Sequence, residues 1–119
     1  MNTRKKQQDA SIHSALEKSA RLSADILSRC LVQNSDYFRV NSQLLTKVQE
    51  RLQRGQELSR SGNYRVASIV QRHAIDLILQ ENHKLFKDDE SLRKALLAYR
   101  DHYDHSVLPL AEQSNSGVS

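Results

Sequence analysis

Apolar residues recur at three- and four-residue steps along four stretches of this chain, and short polar runs separate the stretches. The first stretch covers residues 9 to about 32. There Ile12, Leu16, Ser19, Ser23, Ile26, Leu27 and Cys30 form a helical stripe, widened by Ala15, Leu22 and Leu31. Asp9 or Ser11 suits the N-terminal cap. The small residues Ala15, Ser19, Ala20 and Ser23 leave room for a neighbouring helix to approach closely. Gln33, Asn34, Ser35 and Asp36 form the first break, because Asn, Ser and Asp side chains compete for backbone hydrogen bonds.

A second helix follows, with Tyr37, Val40, Leu44, Val48, Leu52, Gly55 and Leu58 as its face and Leu45 on one flank. Lys47, Arg51 and Arg54 fall at i, i+4 and i+7 on the other flank. Ser61, Gly62 and Asn63 form the second break. Gly62 suits the left-handed residue that ends a helix, and Asn63 suits the next cap. A loop this short predicts that helices two and three are antiparallel neighbours.

The third helix occupies the most hydrophobic stretch, Arg60 to Leu85. Ala67, Val70, Ala74, Leu77, Ile78 and Leu85 line one face, and Val66, Ile69, Ile75 and Leu79 extend it past half the circumference. Such a helix is expected at the centre of a fold, contacted from two sides or by a second subunit. Residues 86–90 form the third break, with Asp88 and Asp89 as caps. The fourth helix shows Leu92, Ala95, Leu96, Tyr99 and Tyr103, ends near Ser106, and is stopped by Pro109.

The expected architecture is all-α: an antiparallel up-down bundle of about four helices over residues 9–108. A disordered basic tail (1–8) and a disordered polar tail (109–119) flank it. Helix two is thin in apolar residues, so an elongated helical hairpin that completes its core by dimerising is the alternative. Composition supports helices over turns, since 119 residues include only three Gly and one Pro. No run approaches the roughly 20 apolar residues of a membrane span. The basic N-terminus lacks the apolar segment of a secretory signal. Cys30 is the only cysteine, which excludes a disulfide within one chain and suits a buried small residue. The cytoplasm or another reducing intracellular compartment is the expected location.

The net charge of +4 is unevenly spread: residues 1–8 are strongly basic, and residues 88–106 are net acidic. This polarity favours contact with an acidic partner, or head-to-tail self-association. The cations Arg4, Lys5 and Lys6, together with Lys47, Arg51 and Arg54, also suit phosphate contacts, so a small basic nucleic-acid-binding regulator is the alternative function.

Gly55, Leu58, Gly62, Tyr64, Ala67 and Ala74 fall at the offsets of small and apolar residues in a helical hairpin. Over residues 51–79 this pattern resembles a single tetratricopeptide repeat. It is also similar to the second and third helices of the microtubule-interacting-and-transport type of domain. Either resemblance implies close hairpin packing and a groove that binds peptides or partner helices. Arg51, Gln71 and Leu79 depart from the aromatic, aromatic and proline preferences of the repeat, and no second copy follows at a 34-residue period. The same seam also arises from the packing of a helical hairpin alone.

No glycine-rich phosphate loop, nucleophile elbow or His-Glu-x-x-His run is present, and no enzymatic activity or cofactor is expected. His102 and His105, beside Asp101 and Asp104, are weak candidates for a transition-metal site. The leading expectation is a non-enzymatic interaction module: an adaptor, chaperone-like protein or assembly subunit that forms a homo- or hetero-oligomer. Its groove beside helices two and three would take a partner helix, or a second copy, on Leu52, Leu58, Tyr64, Val70, Leu77 and Ile78, with Arg51 and Arg54 steering an acidic partner.

Overall fold

A computed structural model describes residues 2–80 and 90–116, with side chains described over 10–80 and 90–113. The described residues are helical and contain no strand. Helix α1 spans Asn2–Gln33, α2 Ser35–Val40, α3 Ser42–Arg60 and α4 Tyr64–Leu79. Helix α5 spans Glu90–His102, a π-helical turn covers Tyr103–Val107, and α6 spans Leu108–Ser116. The expected third break, the caps Asp88 and Asp89, and the expected run of helix three to Leu85 lie outside the described residues.

Long-range contacts set the helix directions. His13 meets Tyr64, the Leu16 carbonyl meets Ser68, and the Ala20 carbonyl meets Gln71, so α1 and α4 run parallel. Arg72 meets Asp104 and Arg65 meets the Ala111 carbonyl, so the α5–α6 arm runs antiparallel to α4. The three-residue turn Ser61–Asn63 makes α3 antiparallel to α4 as well. The result is an up-down bundle measuring 56 × 24 × 19 Å. Its long axis reflects α1, since a 32-residue helix is about 48 Å long.

Helix α4 is central and packs against α1, α3 and α5. Its Ala67, Ala74, Ile75 and Ile78 are fully buried, among Leu27, Cys30, Phe38, Val48, Leu92, Leu96 and Tyr99 of the other elements. The α3–α4 turn forms as the sequence requires. Gly62 has φ +83°, the Asn63 N–H reaches the Leu58 carbonyl at 2.8 Å, and the Gly62 N–H reaches the Ser59 carbonyl at 3.0 Å. The Asn63 side chain caps α4 by accepting from the Val66 N–H.

Three expectations need correction. Residues 2–8, expected as a disordered tail, are the first two turns of α1, so the helix starts before either expected cap. Second, the expected second helix is two. Asn41 (φ −114°, ψ 60°) breaks it, and its side-chain amide joins its backbone N–H in donating to the Tyr37 carbonyl, at 2.8 and 3.1 Å. The break rotates α2, so Phe38 is buried while Val40, expected on the inner face, is 76% exposed.

Third, Pro109 does not end the last helix. The Leu108 N–H donates to the Tyr103 carbonyl five residues back, in the wider turn of a π-helix. Pro109 then falls in the first turn of α6, where a missing N–H is tolerated. The segment expected to be a polar tail therefore continues as helix and packs back on α1, burying Ala111.

Candidate interaction surface

The two sides of the α3–α4 hairpin differ in chemistry. The inner side carries a buried polar layer. Gln71 on α4 is fully buried, and its amide nitrogen donates to the Ala20 carbonyl at 2.7 Å and to the Ser23 hydroxyl at 2.6 Å. Ser23 in turn donates to the Ser19 carbonyl, and the Ser19 hydroxyl meets the Tyr99 hydroxyl at 2.8 Å. Gly55 on α3 makes room for Gln71: a Cβ placed there would stand 2.6 Å from Gln71 Cδ and closer still to Oε1. This layer links α1, α4 and α5, with α3 closed against it. It fixes the register of α4 against α1, because a slip along α4 would take the Gln71 amide nitrogen away from Ala20 and Ser23.

Burial pushes the Tyr99 hydroxyl above the ordinary tyrosine range, and its hydrogen bonds with Ser19 and Ser23 only partly offset that. Tyr103 is raised for the same first reason, reinforced by Tyr99. Arg72 closes the opposite edge of α4. It pairs with Asp76, reaches Asp104 at 3.3 Å, and lies 5.7 Å from the centre of the Tyr103 ring. Burial works against its charge, but the two carboxylates outweigh this and raise its pKa.

The outer side carries a mixed strip. On α3, Leu44, Lys47, Arg51, Arg54 and Leu58 share one face by helical spacing. On α4, Val66, Val70, His73 and Leu77 share the facing one. Leu44, Leu58, Val66, Val70 and Leu77 are half-buried, neither enclosed nor free. Leu44, Lys47 and Leu77 meet across the helices, where with Val40, Ser42 and Gln80 they line a hollow of about 480 Å³. Arg51 folds back to donate to the Lys47 carbonyl at 3.0 Å, and Arg54 approaches Glu57 only to 4.0 Å.

The expected anchors therefore divide. Leu58, Val70 and Leu77 lie on the outer strip with Arg51 and Arg54. Leu52 and Ile78 do not: they are 9% and 0% exposed and belong to the protein's own core. Tyr64 packs against that core and meets His13 edge-on at 5.1 Å, so it sits on the α1 side of α4. The sequence pattern puts Leu44 on the helix-two face and Val66 on the widened face of helix three, but does not single out either as an anchor. Their spacing from Lys47 and Val70 is the available signal.

His102 and His105 are both exposed, and the π turn between them spoils the i, i+3 register of an α-helix. Asp104 is committed to Arg72. Among the described residues no three His, Cys, Asp or Glu side chains gather as a metal site. No described helix is long and apolar enough to cross a membrane. No protein-family model, curated protein or solved structure matches this chain.

Proposed function

We propose that the protein is a non-enzymatic protein–protein interaction module, an adaptor or assembly subunit that docks a partner on the outer face of the α3–α4 hairpin. One observation carries the reading: half-buried apolar side chains of both helices, Leu58 on α3 and Val66, Val70 and Leu77 on α4, share by helical spacing the face that carries the cations. The Gln71 amide nitrogen is held inside the core by Ala20 and Ser23, whereas among the described residues Leu58, Val66, Val70 and Leu77 are left half-buried, and a docked partner would complete their burial. The hairpin's resemblance to peptide-binding helical repeats points the same way. The row Lys47, Arg51 and Arg54 favours a second reading, in which the same face holds nucleic-acid phosphates.

Site-specific photocrosslinking in the source cells tests the first reading. A photoreactive residue in place of Val70 should join a protein, and one in place of the exposed Ala98 on α5 should not. The adduct should disappear when Leu58→Asp and Leu77→Asp are added to a chain that keeps its helical circular dichroism. Equal crosslinking from both positions, or adducts with nucleic acid from Val70, would refute it.

A further inference from the structure

The outer strip sorts its residues along its length. At one end Leu44 and Leu77 line the hollow of about 480 Å³ among Ser42, Gln43, Lys47 and Gln80, and its wall is mainly polar. At the other end Leu58 and Val66 flank the Ser61–Asn63 turn. Lys47, Arg51 and Arg54 stand between the two ends. Two glutamates flank the row: Glu57 pairs with Arg54 at 4.0 Å, and Glu50 lies three residues after Lys47 and four before Arg54. From Leu44 to Leu58 is about 21 Å at 1.5 Å per residue, the length of four helical turns.

Resting on the interaction reading above, we infer that the strip's occupant is an acidic amphipathic helix of about four turns. Its apolar side chains seat at the two ends, and its carboxylates lie over Lys47, Arg51 and Arg54. The form follows from the receptor. Two antiparallel helices present a ridged groove, which fits another helix, and the described residues offer no strand edge for an extended peptide. The charge follows from the cations. A second copy of this chain placed face to face would set three cations against three, so the strip selects against self-association and for carboxylates.

The test uses labelled designed helices of about 16 residues, matching the strip's length. All carry leucines at both ends of one face, and the middle of that face bears Glu, Gln or Lys. Fluorescence anisotropy against the full chain should rank the Glu peptide about tenfold tighter than the Gln peptide, with no binding of the Lys peptide. High salt should erase the difference between Glu and Gln. Arg51→Ala with Arg54→Ala should remove the Glu preference and leave Gln binding unchanged. Leu77→Asp should abolish both.

Equal affinity for Glu and Gln peptides would overturn the acidic assignment while leaving the interaction module standing. Failure of every peptide would overturn the helical occupant, and the crosslinking experiment then decides the module separately. A duplex DNA of similar length that binds more tightly than the Glu peptide, and depends on Arg51 and Arg54, would replace the helix with nucleic acid.

Discussion

Replacing Gly55 by alanine is a sharp perturbation of the hairpin, because two effects of opposite sign meet at one residue. Gly55 lies inside α3, where alanine is favoured over glycine by about 1 kcal/mol. Against this, the new methyl would stand 2.6 Å from both Cδ and Cγ of Gln71 and closer still to Oε1. A flexible exposed side chain would swing away. Gln71 cannot, since it is fully buried and its amide nitrogen is held by Ala20 and Ser23. Moving it costs overpacking of about 1–3 kcal/mol, and freeing its amide from those acceptors costs about 1–3 kcal/mol more. The sum exceeds the helix gain, so Gly55→Ala should destabilise by about 1–5 kcal/mol.

Urea unfolding followed by circular dichroism reads this as a lower midpoint at unchanged slope. Gln71→Ala leaves a hole that the methyl introduced by Gly55→Ala partly fills. The double variant should therefore be at least about 1 kcal/mol more stable than the sum of the two single losses predicts. Stabilisation by Gly55→Ala alone, or additivity in the cycle, would show that α3 does not close on Gln71 and would refute the packing argument.

Other outcomes follow from single groups. Gly62→Ala meets no atom within 4 Å, so its cost is backbone only, about 1 kcal/mol by urea midpoint from the positive φ. Asn63→Ala removes the α4 cap and should cost about 1 kcal/mol in the same assay. Tyr99 has its pKa raised by burial, so the folded state holds the proton that the unfolded state loses above about pH 10. Its contribution is present below that pH and is lost as pH rises. Stability measured from pH 8 to 11 should fall at the alkaline end, and Tyr99→Phe should flatten that fall. Light scattering should find a monomer at low salt, because the cationic strip opposes its own copy; a low-salt dimer abolished by Leu58→Asp would contradict the charge argument.

The helices and their central member were legible because apolar periodicity and turn chemistry agreed over long spans. Gly62 and Asn63 illustrate this: each residue type had one compatible backbone role, and the structure places both in it. Interruptions inside helices were not legible. Asn41 looks like any polar helix residue, yet its backbone leaves the helical range (φ −114°, ψ 60°), and on α2 before it Phe38 and not Val40 reaches the core. Pro109 reads as a stop only if the α-helical ladder continues to it, whereas the π turn places it where its missing N–H costs little. At the surface, spacing put Leu58, Val70 and Leu77 on a face with the cations. It could not separate them from Leu52 and Ile78, because periodicity locates a face without saying which neighbour covers it.

That ambiguity bears on how a partner would bind. Five side chains on the strip are half-buried, and completing the burial of each releases on the order of 1 kcal/mol, so the apolar contribution is about 5 kcal/mol. Association alone costs about 4–15 kcal/mol in lost translational and rotational freedom. Apolar contact on this strip is thus at best near balance and gives unaided only the weak binding expected of the Gln peptide. The three cations supply the remainder only through exposed pairs worth about 0.2–1 kcal/mol each, which salt weakens. A module built this way binds reversibly and discriminates by charge. The buried Gln71 layer supports that discrimination: it fixes α4 against α1, and the close approach at Gly55 seats α3 on the Gln71 side chain, so Lys47, Arg51 and Arg54 are carried on a packed helix.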